Sequence, residues 1–198
     1  MRGRASLWPA ALIVAVSCAC GAGTDAPSAA QVEAATQAAE RACGELQKEL
    51  VAALGEAMGK GGPVAAIEVC QLRAPQLAAK VGEAARLDVG RTALGLRNAA
   101  NAPDAWERTT LEEFKQSLAG GAAAEGLEKV QLEKIGDGHQ LRYMRAIATQ
   151  PVCLTCHGDE LLPELREELA RRYPEDRAIG FKAGELRGAF TVTVRLDS

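Results

Sequence analysis

Residues 151–158 read Pro-Val-Cys-Leu-Thr-Cys-His-Gly, and no other stretch constrains this chain as much. Cys-x-x-Cys-His is the attachment signature of a c-type haem. The spacing has a physical reason. Cys153 and Cys156 stand about one helical turn apart, so each thiol can form a thioether to one edge of the same porphyrin. His157 follows directly and can turn its ring to the iron from one face. Two other uses of such a pair fit less well. A zinc site commonly needs a second cysteine pair or a histidine pair. The chain holds only 2 histidines, and one of them abuts Cys156. A thioredoxin-like site wants a βαβ context, which the apolar pattern does not offer. One haem c per chain is the expectation.

The N-terminus fits export. Arg2 and Arg4 precede an apolar run over residues 7–16, broken only by Pro9. That run is too short to span a bilayer and reads as a secretion signal. Ala15-Val16-Ser17-Cys18 resembles a lipobox, with alanine where leucine is usual three positions before the cysteine. The expectation is a leader over residues 1–20, lipidation at Cys18, and a periplasmic protein held to a membrane by its lipid. Cleavage near Ala19 or Ala22 is the alternative. A c-type haem is attached on that side of the membrane, where other cysteine pairs are oxidised. Net charge is −3, from 23 basic and 26 acidic side chains. No basic stripe appears, so no nucleic acid partner is expected.

The Gly-, Ala-, Pro- and Ser-containing stretch over residues 21–29 reads as a flexible tether, and residues 30–198 as one domain. Ser28 and Gln31 form a capping box before a long helix with Ala39, Cys43, Leu46, Leu50 and Leu54 on one stripe. Gly59, Gly61 and Gly62 break it, and Pro63 opens a helix carrying Ile67, Cys70 and Ala74. Pro75 ends or kinks that helix, and another follows over residues 75–85. A strand is predicted around Leu94 and Leu96. Asn101 and Pro103 open a helix through Trp106, Leu111, Phe114 and Leu118. Val130 and Leu132, a Gly136-Asp137-Gly138 turn, then Leu141 and Tyr143 predict a hairpin. A charged helix from Pro163 to Arg172 follows the cysteine motif. In the last strand Phe190, Val192, Val194 and Leu196 face one way. The sum is an α+β fold around an antiparallel sheet, with a long N-terminal helix and flanking helices.

The second axial ligand stays open on spacing alone. Cys70, His139 and Met144 are the main candidates, beside the other methionines or no ligand at all. His139 sits at a hairpin tip, where a histidine is usually solvated. Met144 suits core packing equally well. Cys70 suits a disulfide with Cys43, or a small buried apolar role. Tyr143 either lines a haem pocket or packs in the sheet.

Four stretches together resemble the single-haem c-type PAS-like sensor domain family (Tll-like haem domains). They are AIEVCQLRAPQLA from Ala66, RTALGLRNAANAPDAWE from Arg91, RYMRAIATQPVCLTCHG from Arg142 and YPEDRAIGFKAGELRGAFTV from Tyr173. The resemblance implies a PAS-like α+β fold, one haem c, and iron ligated by His157 and Cys70. A thiolate ligand favours ferric iron and lowers the potential. On reduction it can take a proton and leave, which opens a position for a small gas. Arg73, one turn after Cys70, would favour the thiolate. Arg97 is placed to pair with a haem propionate, while Asn98 and Asn101 suit turn and cap chemistry. The implied function is a non-enzymatic redox or gas sensor that signals to a partner protein, with no catalytic residue. The alternative is an electron-transfer cytochrome. A peroxidase would need distal acid-base groups, and His139 is the only spare histidine.

Overall fold

The computed structural model describes residues 26–196; the leader, Cys18 and Cys20 lie outside the described residues. The first long helix, α1, runs Ala29–Glu68. Ser28 caps it as predicted: its hydroxyl accepts from the Gln31 N–H, and the Gln31 side chain accepts from the Ser28 N–H at 2.8 Å. The predicted break is also present. Gly62 has φ 68° and ψ −162°, a backbone that only glycine adopts without strain, and Pro63 restarts the helix behind it.

Pro75 acts differently from expectation. The chain neither stops nor bends away there, but runs on into α2, Ala74–Ala85. A five-residue π-helical turn, Val69–Arg73, sits immediately before it. Proline has no N–H to bond the carbonyl four residues back. The wider turn, with the Ala74 N–H bonded to the Val69 carbonyl, absorbs the mismatch. Cys70 lies on this turn.

Strand β1 covers Asp88–Thr92, earlier than the strand predicted around Leu94 and Leu96. Its residues include Asp88 and Gly90, poor strand formers, and pairing with the last strand overrides that weakness. Leu94 packs with the α3 cluster, and the Leu96 carbonyl accepts from the Arg177 N–H at 2.7 Å. Asn98 caps a short 3-10 turn, Ala99–Asn101. Helix α3, Ala105–Ala119, starts on an Asp104–Glu107 capping box. The hairpin forms as predicted from β2, Glu128–Ile135, and β3, Gly138–Ala148. A 3-10 turn, Pro151–Cys153, leads into the short α4, Leu154–His157; then come α5, Pro163–Arg172, and β4, Leu186–Leu196.

The four strands form one antiparallel sheet in the order β1-β4-β3-β2. Tyr143 pairs with Val192 and Leu141 with Val194, so all four share a face. α1 covers that face with Ala39, Cys43 and Leu46, joined by Val81 of α2. A fully buried leucine such as Leu46 contributes about 1.5–3 kcal/mol of transfer free energy. The reverse face, with Met144 and Ala189, meets Leu111 and Phe114 of α3. Leu165 and Leu169 of α5 pack with Ile67 near the end of α1, and Cys156 joins that cluster. This packing brings the π-helical turn and the cysteine motif together.

Candidate functional site

The site is built on a chain reversal. α4 ends at Gly158, whose backbone is extended at ψ −175° and whose N–H still bonds the Leu154 carbonyl at 2.9 Å. A Cβ on Gly158 would stand 2.7 Å from that carbonyl oxygen, so no larger residue fits the turn. The returning segment, residues 176–181, clamps the motif. Phe181 N–H donates to the His157 carbonyl at 2.9 Å, and Gly180 N–H to the Gly158 carbonyl at 3.1 Å. The His157 Nδ1 lies 2.7 Å from the Ala178 carbonyl oxygen. A carbonyl only accepts, so the network assigns the proton to Nδ1 and leaves the Nε2 lone pair for a metal. Burial pushes the His157 pKa down to about 3, with the Arg187 and Arg97 guanidiniums adding to it and the Ala178 bond opposing. The ring is therefore neutral, the form that ligates.

Arg97 is the central clamp. Its Nε donates to the Asp176 carboxylate at 2.9 Å, and its Nη2 to the Cys156 carbonyl at 2.6 Å and the Ala178 carbonyl at 3.2 Å. The two side chains are only 7% and 10% exposed. Two nitrogens of Arg97, Nε and Nη2, are thus committed to the protein, and Nη1 makes no hydrogen bond to a described residue. Asp176, 79 residues away in sequence, supplies the carboxylate.

Cys70 comes to the motif. Its thiol lies within the electrostatic reach of Cys156, Arg91, Arg187 and Tyr173. Arg73 does not serve it as expected. It is half-exposed and pairs with Glu56 at 3.4 Å.

The other candidates are elsewhere. Cys43 is buried in the sheet core, where burial pushes its thiol up to about 12, and neither it nor Cys70 is in a disulfide. Met144 is fully buried among Leu111 and Phe114. His139 stands at the start of β3, opposite Lys134 and Leu196, while the motif follows the other end of that strand. Tyr143 packs in the sheet core and does not line the site; burial and the Glu128 carboxylate push its ionisation far up.

Sequence reasoning missed Ala178, Asp176, Phe181, Arg91 and Arg187. The available signal for Arg187 was a lone arginine leading an apolar strand. It occupies a β-bulge: Ile147 pairs with Gly188 and Ala148 with Leu186, so Arg187 is the extra residue. Its guanidinium lies 5.3 Å from the Phe181 ring and donates to the Gly95 carbonyl at 3.3 Å. Phe181 in turn meets the His157 ring edge-on at 6.2 Å. Two thiols one turn apart, a neutral imidazole with Nε2 available, and a further thiol close by form a donor set that suits a covalently held metalloporphyrin.

The Tll0287-like family profile matches residues 22–195. Among solved structures, the crystal structure of the cyanobacterial haem protein Tll0287 resembles this chain with a TM-score of 0.60. The likeness covers 87% of this chain and 99% of that one at 24% sequence identity, which bears on the fold. No curated protein matches the chain. The profile runs through every strand and helix described above, from α1 to β4. The chain belongs to the Tll0287-like family.

Proposed function

We propose that this chain carries one c-type haem, bound through thioethers to Cys153 and Cys156 and ligated at iron by His157 and Cys70. It works as a redox or gas sensor, without enzymatic activity, exported and tethered by a lipid on Cys18, and it signals to a partner protein. One observation carries the haem reading. The His157 Nδ1–Ala178 bond leaves Nε2 for a metal immediately beside two thiols. The fold shared with the Tll0287 haem protein supports it.

The bound haem would supply an iron that gains and loses one electron. The residues do the rest. Cys153 and Cys156 prevent loss of the group. Arg97 and Ala178 hold His157 in one tautomer and one orientation. Cys70 offers a thiolate, whose charge favours the ferric state. Reduced iron would hold a thiolate less strongly, so Cys70 Sγ would be free to leave it with a proton taken from solvent, the electron remaining with the haem. Its place on a π-helical turn suits such movement, because these turns interrupt the regular ladder and cluster at functional sites.

The test is optical and electron-spin spectroscopy of holo-protein made with haem-maturation machinery, in both oxidation states. Wild-type protein is expected to show a low-spin ferric His/thiolate signal that is lost on reduction and absent from Cys70→Ala. An unchanged ferric spectrum in Cys70→Ala would exclude the sensor ligation. His/Met signals would indicate an electron carrier.

A further inference from the structure

Three guanidinium groups, Arg91, Arg97 and Arg187, stand within electrostatic reach of His157, and Arg187 lies within reach of the other two. One carboxylate, Asp176, reaches Arg187 and pairs with Arg97. Among the described residues, that leaves Arg91 and Arg187 without an ion-pair partner. Arg187 has only the Gly95 carbonyl and the Phe181 face. The Arg91 side chain makes no hydrogen bond and no ion pair with any described residue. Both are strongly desolvated: burial lowers the pKa of Arg91, and lowers that of Arg187 to about 10, the neighbouring arginines adding to the latter. An arginine does not escape such a site by losing its proton, so a buried guanidinium needs an anion.

The placement is also deliberate in the fold. Arg91 pairs across β1–β4 with Phe190, two positions beyond the Val89–Val192 pair, and so continues the face that α1 and α2 cover. Arg187 reaches the site from the β-bulge, a device that re-aims a side chain. Both guanidiniums act on Cys70, and Arg187 stacks on the ring that touches His157. Both therefore act on Cys70 and on His157, the two residues that would hold the iron.

We infer that Arg91 and Arg187 hold the two propionate carboxylates of the haem, one cation to each anion, while Arg97 serves the motif. This rests on the haem reading above. Guanidinium and carboxylate match in charge and in forked geometry. Bound propionates complete a charge set that the chain leaves open.

Resonance Raman spectra of ferric and ferrous holo-protein read the propionate bending modes directly, and mass spectrometry reads thioether attachment separately. The variants are Arg91→Gln, Arg187→Gln, their double, Arg91→Lys, and Arg142→Gln as a remote control. Covalent haem is expected in all of them, because the thioethers do not depend on these arginines. The propionate band should shift in each single glutamine variant, shift further in the double, return toward wild type in Arg91→Lys, and stay unmoved in Arg142→Gln. An unmoved band in the double variant with haem attached overturns this assignment alone. So does inorganic phosphate raising the melting temperature of the wild-type apoprotein but not of the double variant while the holo-protein band stays fixed, since that marks a general anion site. Wild-type protein without covalent haem overturns the proposed function itself.

Discussion

Two arginine sites in this molecule differ in one respect. Arg142, on the α3 face of the sheet, is 13% exposed and lies among three carboxylates, Asp104 at 2.6 Å, Glu107 at 3.6 Å and Glu133 at 3.8 Å, with Trp106 beneath it at 4.4 Å. At the cysteine motif the ratio is reversed: three arginines act on His157, and Asp176 pairs with Arg97 and reaches Arg187. The first site closes its own electrostatics and reads as structure. The second is complete only with anions from outside the chain. Charge that a fold fails to neutralise for itself points to what it binds.

The contrast fails at its base if the motif is dispensable. Changing both Cys153 and Cys156 to serine should abolish covalent haem, read by mass, and leave the melting temperature below that of the holo-protein. The next largest effect is expected from Asp176→Asn. It strips the buried partner from Arg97 and should cost about 3–5 kcal/mol in urea unfolding of the apoprotein. Asp104→Asn is the matched change at the other site. It should cost less than about 1 kcal/mol, because asparagine caps a helix about as well as aspartate, the lost ion pair is exposed on the Asp104 side, and Arg142 keeps Glu107 and Glu133. Equal losses would erase the distinction. Arg91→Gln should leave the apoprotein as stable as wild type or slightly more so, because it removes a cation that lacks a partner there. Arg142→Gln should cost about 1–3 kcal/mol by leaving acceptors unpaired. The smallest spectroscopic effect belongs to Cys43→Ala: a loss of about 1 kcal/mol in the core, with a ferric spectrum identical to wild type.

Much of the fold was legible because its signals are local. Ser28 with Gln31, Gly62 with Pro63, and the alternation from Phe190 to Leu196 each act within a few residues of chain. The strand at Asp88–Thr92 was not legible, because its stability comes from β4, about a hundred residues later. The end or kink expected at Pro75 became a π-helical turn, since a wider turn accommodates the missing proline N–H. In the site, Cys153, Cys156 and His157 were legible from adjacency alone. Arg97 was seen, but its partner was not, because Asp176 shares no pattern with it.

By itself, the sequence determined the chemistry that sits within five residues: two thiols and an imidazole at a spacing that suits one porphyrin. It also determined where helices start and break, since caps, glycines and prolines act on their own backbone. Only the tertiary structure decided which of several distant side chains stands beside that motif. Cys70 is brought there while Met144, His139, Tyr143 and Cys43 are held elsewhere, and Arg91 and Arg187 converge on His157 with no ion-pair partner among the described residues. The reason is that neighbourhood across a sheet and between packed helices depends on register and layer order, and spacing along a chain does not encode either at a single position.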